Sequence, residues 1–307
     1  MQCFEQIPQE QQNTAVALGY FDGLHIGHRS VLTLTAEQQG NGLLPLCLTF
    51  AQSPKSVLAG KDLPTLMTRA DKTQALAQLG LTHTVFADFR QIMHMHAEQF
   101  VKDVLADKLR AKKLYCGFNY RFGKNAEGDA RALARLCAQY GMQLFVLPPA
   151  EDKGAVVSST LIKTLIQNGE VRHANRLLYN AFGFCQTVTH GKQLGRTLGT
   201  PTINQLPAPS LVTPRRGVYC SRVTLDSGET YCGVTNVGVK PTVGGKTLLW
   251  ETYMPQYSGG EIYGQQADVR LLDFIRPEKQ FDSLECLRQE ILRNSQTALQ
   301  IYTQLQK

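Results

Sequence analysis

Hydrophobic positions in the first half of the chain gather into short β-rich runs: Thr14–Leu18, Leu43–Phe50, Thr82–Phe86, Lys113–Gly117 and Gln143–Leu147. Between and after them, apolar residues recur at helical spacing over Ser30–Gln39, Arg69–Leu79, Ala97–Leu109, Asp129–Tyr140 and Ser159–Leu178. Short apolar runs bounded by turn residues read as buried strands, and the wider periodic stretches read as amphipathic helices. Gly40, Gly80 and Gly141 follow three of the helices, where a left-handed C-terminal residue is expected. Strand and helix in alternation predict a parallel sheet with helices on both faces. In such a sheet, ligands collect beyond the carboxyl ends of the strands.

After about residue 182 the pattern changes. Phe184–Thr189, Gly217–Leu225, Thr230–Asn236, Leu248–Met254 and Ala267–Phe274 read as strands, with Asp226-Ser227-Gly228 as a hairpin turn. This half is expected to form a small antiparallel β-barrel. One terminal helix follows, with Asp282 as its cap, Glu285 as the capping-box partner, and Leu284, Leu287, Ile291 and Leu292 as its apolar face. The expected class is therefore α/β with a barrel appended, divided into domains 1–181 and 182–307. No internal repeat or low-complexity segment interrupts either half.

Composition narrows the setting only a little. The chain has 307 residues, 43% hydrophobic and 19% charged, which is enough for two domains with cores of their own. No apolar stretch approaches the ~20 residues that span a bilayer, and the start has neither a basic segment nor an apolar one of the secretory kind. The eight cysteines (3, 47, 116, 137, 185, 220, 232 and 286) form no CxxC pair, so reduced thiols in a cytoplasmic protein are expected. A formal charge of +7 suits phosphorylated substrates, and without a long Lys/Arg run it does not point to nucleic acid.

Candidate chemistry begins with Gly19-Tyr20-Phe21-Asp22-Gly23-Leu24-His25-Ile26-Gly27-His28, immediately after the first strand. His25 and His28 are spaced to share one face of a helix start. Gly23 and Gly27 let a phosphate approach the backbone, and free N–H groups with the helix dipole favour an anion there. A paired metal site is the competing use of two histidines, but no Cys or carboxylate cluster lies nearby in sequence. Gly117-Phe118-Asn119-Tyr120-Arg121-Phe122-Gly123 also follows a strand. Its Arg121 and aromatics could stack a planar ring and pair a phosphate, or the aromatics could simply fill the core. Ser158-Ser159-Thr160 opens a helix with Lys163 one turn on, either a second anion cradle or an ordinary cap. His94 and His96 lie in a connection and read as surface residues.

In the second half, Gly191-Lys192-Gln193-Leu194-Gly195 is a Gly-rich basic segment without P-loop spacing, a phosphate flap or a hairpin. Thr202 and Asn204 alternate to one side of an extended segment, and their hard oxygens suit Mg²⁺. Glu251 stands among apolar residues at the end of a strand, placed to act as a general base if buried.

In this order the segments resemble the bacterial bifunctional riboflavin kinase/FAD synthetase family over nearly the whole chain. The matching stretches are GYFDGLHIGH, GFNYRFGKNAEGD and SSTLIK, then HGKQLGRTLGTPTIN, GVTNVGVKPTVGG, the Glu of WETY, EIYG and FIRPEKQFDSLECL. The first stretch is similar to the HxGH signature of nucleotidylyltransferases with a Rossmann-like domain. The resemblance implies two ATP-dependent steps: riboflavin to FMN in the barrel, then FMN to FAD with release of pyrophosphate. It implies nucleotide binding by Gly19, Phe21, Asp22, Gly23, His25, Gly27, His28, Arg121, Ser159, Thr160 and Lys163, and by Gly191, Lys192, Gly195, Thr202 and Asn204. It also implies flavin binding by Asn119, Tyr120 and Glu251, Mg²⁺ on Thr202 and Asn204, and catalysis by His25, His28 and Glu251.

The expected partners are riboflavin, FMN, FAD and ATP, with no nucleic acid or membrane, and the chain as a monomer or weak homo-oligomer. Departures from the family pattern fall at Ala51-Gln52-Ser53, at Asn119 for a common Asp, and at Lys163 for the usual Arg. Thr200 and Tyr253 also depart, at positions of a common Phe and His. The alternatives are a kinase with a weak or lost adenylyltransferase, another nucleotidylyltransferase with an accessory barrel, and a flavin-binding regulatory protein without turnover.

Overall fold

The computed structural model describes residues 1–189, 202–242 and 245–306. The chain divides into two compact units, Met1–Leu63 with Arg69–Ser159 and Pro64–Thr68 with Thr160–Lys307.

The first unit runs β1 (Gln2–Phe4), β2 (Thr14–Leu18), α1 (Ile26–Ala36), β3 (Leu44–Phe50), α2 (Pro54–Ala59), α3 (Arg69–Gln78) and β4 (His83–Ala87). It continues with α4 (Phe89–Ile92), α5 (Ala97–Gln99, extended with wider π-type winding over Phe100–Lys108), β5 (Ala111–Gly117), α6 (Ala130–Gln139) and β6 (Gln143–Leu147). A short hairpin, β7 (Glu151–Asp152) and β8 (Ala155–Val156), closes it. The six long-range strands form one parallel sheet in the order β1-β4-β3-β2-β5-β6. All five residues of β2 are buried, because both its edges are paired and both its faces are covered. The strand order reverses between β2 and β5, so the loops that follow these two strands flank the switch point of the sheet.

Several local expectations shift. α1 begins earlier than its apolar periodicity suggests, because the His25 side chain caps it by accepting from the His28 N–H. Gly42 (φ +74°), not Gly40, takes the left-handed turn before β3, whereas Gly80 (φ +90°) and Gly141 (φ +69°) do end their helices. The expected helix Ser159–Leu178 is two, α7 (Ser159–Asn168) and α8 (Val171–Leu177), broken at Gly169 (φ +86°).

The second unit continues from α7 and α8 through β9 (Gly183–Thr187), β10 (Thr202–Gln205), β11 (Gly217–Leu225), β12 (Thr230–Thr242), β13 (Gly245–Tyr253) and β14 (Gln266–Arg276) to α9 (Leu284–Leu305). Asn175 ties α8 to the barrel, donating to the Leu271 carbonyl and accepting from the Phe182 N–H, both at 2.8 Å. That packing places residues 160–181 with the second unit. The antiparallel sheet has the order β10-β13-β12-β11-β14-β9. Its two edges meet where Thr189 donates to the Asn204 carbonyl and Gln205 to the Gln186 carbonyl, so the sheet curls back on itself. Trp250, Phe182, Phe184 and Tyr219 fill its interior. The turn at Asp226–Gly228 forms as expected, with Gly228 at φ +83°. Among the described residues no helix is long and apolar enough to cross a membrane.

The terminal helix corrects the sequence reading twice. Its cap is Ser283, whose hydroxyl accepts from the Cys286 N–H at 3.2 Å, and not Asp282. Its buried stripe is Asn294, Ser295 and Ala298, packed over Val218, Cys220, Cys232 and Val234, while Leu284 and Leu292 are exposed. Small residues fit here because the helix lies close on the strands. Replacing Ser283 by Ala should therefore cost about 1 kcal/mol in urea unfolding. Asp282→Ala should leave the midpoint within error.

Candidate active site

The first cluster is built on the turn after β2. Phe21 is buried in a left-handed conformation (φ 54°, ψ 45°), followed by a single 3-10 turn, Asp22–Leu24, in which Gly23 (φ +79°) and Leu24 (φ +45°) are also left-handed. A side chain on Gly19 would meet the Phe21 ring at 2.9 Å, so glycine at 19 is what lets Phe21 fold inward. His25 then returns to extended geometry and caps α1. The His25 and His28 rings stack with centroids 3.6 Å apart and 21° between planes, and Phe21 meets His28 edge-on at 5.3 Å. The pair sits at the N-terminus of an eleven-residue helix, where orphan N–H groups and the dipole attract an anion.

Both imidazoles are held neutral. Burial lowers the His25 pKa to about 4, against an opposing pull from Asp22. His28 lies well below its ordinary value through burial first, then the neighbouring His25 and Lys72. Among the described residues the buried Nδ1 of His28 has no hydrogen-bond partner. Two neutral rings offer N–H donors to a phosphate oxygen. Among the described residues no three His, Cys, Asp or Glu side chains group to hold a metal ion.

Ser159 donates its hydroxyl to the Asp22 carbonyl at 3.0 Å, joining the SSTLIK segment to the HxGH loop. Thr160 is exposed, and Lys163 is half-buried one turn along α7, in the second unit. In the loop after β5, Tyr120 and Phe122 stack at 5.9 Å and pack on the core, whereas Phe118, Asn119 and Arg121 are exposed. Gly128 is required there, because a side chain would strike the Phe122 ring at 2.5 Å. Ser53 stands at the N-cap position of α2 without a side-chain capping bond, and Pro54 is the first residue of the helix. His94 and His96 are exposed, the latter 3.4 Å from Glu127.

The second cluster is set by strand register in the barrel. Glu251 on β13 pairs with Asn204 on β10 and with Asn236 on β12, so one carboxylate is flanked by two carboxamides in a single row across three strands. Thr202 and Tyr253 are paired and lie two residues along the same face. The buried Asn204 Oδ1 has no hydrogen-bond partner among the described residues. Beside Thr202 lies a cavity of about 360 Å³, lined by Ile203, Met254, Tyr257, Glu261, Ile262 and Tyr263. On the opposite face a buried hydroxyl ladder, Ser221–Thr235–Thr252, links β11, β12 and β13 at 2.7 and 2.9 Å. Gly191, Lys192 and Gly195 lie outside the described residues.

Sequence reasoning missed Lys72, Thr49 and Asn236. Lys72 had a signal: it occupies the buried stripe of α3 with Ala75 and Leu76, where an apolar residue is the norm. An Asn within the β-rich run of β12 was the signal for Asn236.

Both parts of the chain match known families. The FAD synthetase family model matches residues 7–161 and the riboflavin kinase family model residues 178–302. The bifunctional riboflavin kinase/FMN adenylyltransferase of Escherichia coli K12 is 32% identical over 97% of this chain and 95% of its own. The protein of the same description from Haemophilus influenzae is 32% identical over 94% of each chain. A solved structure described as a macrolide-efflux protein from Streptococcus pneumoniae superposes with a TM-score of 0.86 at 27% identity, over 96% of this chain and 98% of that one.

The lowered histidine pKa values give a stability prediction with a definite sign. Between about pH 6.5 and pH 4 the unfolded chain binds protons that the folded His25 refuses, so stability is complete above that window and falls as pH drops through it. At pH 5 the His25 contribution to that loss is about 2 kcal/mol, and His28 acts in the same direction. Urea midpoints from pH 7 to pH 4.5 should fall less steeply for His25→Asn than for the unmutated protein.

Proposed function

The chain belongs to the bifunctional riboflavin kinase/FMN adenylyltransferase family, converting riboflavin to FMN and FMN to FAD with ATP, and we propose that residues 1–181 carry the adenylyl transfer and residues 182–307 the kinase step. The observation that carries this division is one cluster in each part: paired imidazoles at a helix start, and a carboxylate between two carboxamides. The FAD synthetase family model covers the paired imidazoles and the riboflavin kinase family model covers the carboxylate row, which supports one activity at each cluster.

In adenylyl transfer an FMN phosphate oxygen attacks the α-phosphorus of ATP, and the bond from that phosphorus to the bridging oxygen of pyrophosphate breaks. The nucleophile is already ionised, so the site needs alignment and charge stabilisation rather than a base. His25 and His28 donate N–H groups to the phosphates, and the N-terminus of α1 adds its dipole. Gly19, Phe21, Asp22, Gly23 and Gly27 shape the cradle. Ser159, Thr160, Lys163 and Arg121 bind nucleotide, and Asn119 and Tyr120 face the flavin.

The kinase step differs because an alcohol must lose its proton as it attacks the γ-phosphate. Glu251 accepts the proton of the ribityl 5′-hydroxyl, and the attacking oxygen displaces ADP. Thr202 and Asn204 are the residues that would hold Mg²⁺, a use that the orphaned Asn204 oxygen supports. When bound there, the ion neutralises phosphate charge. The cavity beside Thr202 has room for a planar ring. Gly191, Lys192 and Gly195 contribute to nucleotide binding in this reading. The chain acts in the cytoplasm as a monomer or weak homo-oligomer, without nucleic acid or membrane.

Product chromatography after incubation with riboflavin, ATP and Mg²⁺ tests the assignment. Unmutated protein should yield FMN and then FAD. Glu251→Gln should lose FMN formation by on the order of 10²-fold or more, yet still convert supplied FMN to FAD. His28→Ala should stop at FMN. If Glu251→Gln phosphorylates riboflavin normally, Glu251 is not the base.

A further inference from the structure

The turn that presents the paired histidines is held by a group outside the HxGH motif. The Tyr20 carbonyl, which belongs to the peptide leading into left-handed Phe21, accepts from Lys72 Nζ at 2.7 Å and from Thr49 Oγ1 at 3.0 Å. The Lys72 nitrogen also lies 4.1 Å from the centroid of the Tyr20 ring. Lys72 is only 5% exposed and Thr49 is fully buried. A bulky residue in the left-handed region is strained, and persists only where its surroundings over-determine it. Two buried donors on one carbonyl do that here, and α3 packs directly against the Asp22–Leu24 turn. Lysine is rarely buried without a task.

We propose that Lys72 is a positioning residue for adenylyl transfer: its ammonium clamps the Tyr20 carbonyl, fixes the Phe21 turn against which His28 rests, and places a positive charge beside the paired imidazoles. This rests on the reading of His25 and His28 as the adenylyl site. Thr49 is the neutral half of the clamp. The titratable groups around the turn are Tyr20, Asp22, His25 and His28, the Cys47 thiol on β3, and Lys72 with its buried neighbour Asp71 on α3. Lys72 acts electrostatically on both His28 and Cys47, which locates its charge between β3 and the start of α1. Removing that charge lets His28 take a proton more readily, and a protonated ring loses its neutral tautomer.

The test uses the full chain, with its own kinase step as the folding control, and compares Lys72→Met, Lys72→Arg, Thr49→Val and His28→Ala. Lys72→Met should keep FMN formation within about 2-fold while FAD formation from supplied FMN falls about 30-fold or more, the range expected when a positioning contact is lost. The acid limb of its adenylyl pH profile, and the imidazole titration of His28 followed by NMR, should both move to higher pH. Lys72→Arg keeps the charge and should restore the limb even if the rate is only partly recovered. Thr49→Val should lower the rate without moving the limb.

An unmoved limb in Lys72→Met, or full FAD synthesis by it, overturns the proposal. If Lys72→Met does not fold, a limb in Lys72→Arg displaced as far as loss of charge would displace it does the same. Full FAD synthesis by His28→Ala would instead overturn the site reading on which the proposal rests.

Discussion

A parallel strand paired on both edges has no free backbone except at its ends, and β2 is that strand in the first unit. Its burial forces the chain to leave at the carboxyl edge in a turn sharp enough to start α1 within a few residues. The turn is achieved with left-handed geometry at Phe21, Gly23 and Leu24, held by hydrogen bonds to the Tyr20 and Asp22 carbonyls. Everything chemical in that unit follows from where the turn stops. The helix begins at the pair of imidazoles, and the loop after β5 lies across the switch point from it.

The second unit solves its problem by register. Pairing of β10 and β12 with β13 brings Asn204 and Asn236 opposite Glu251. A slip of one residue would turn the carboxylate inward, to the side of Trp250 and the hydroxyl ladder. That ladder, closed among Ser221, Thr235 and Thr252, satisfies buried hydroxyls that would otherwise be costly, and its cross-strand bonds resist such a slip. The two units thus use opposite devices, a strained turn in one and an unstrained ladder in the other. The chemistry they serve differs in the same way. An ionised phosphate nucleophile asks only for placement and charge, whereas an alcohol nucleophile asks for a carboxylate.

Much of this was legible from the sequence. Alternating strand and helix patterns located five of the six strands of the parallel sheet, and the GYFDGLHIGH segment fell at a strand end as expected. β1 escaped because three residues with little burial carry no periodic signal. The cap of α9 was placed one residue early, at Asp282, because Asp and Ser cap equally well and only backbone geometry chooses between them. The apolar stripe of that helix was misread for a related reason. Its close approach to the barrel selects small and polar residues, so Ala298 is buried while Leu284 and Leu292 face solvent.

What the sequence by itself determined was the kind of fold and the identity of the reactive groups. Periodicity is a local property of the chain, and short motifs carry their histidines, hydroxyls and carboxylate with them. What only the tertiary structure decided was which distant groups meet those motifs. Lys72 lies far along the chain from Tyr20, and Asn204 from Glu251, and neither pairing has a signature at any fixed spacing. Such contacts arise when helices pack on a sheet and strands choose a register, because burial and hydrogen bonding then act on three-dimensional neighbours and not on residues adjacent in the chain.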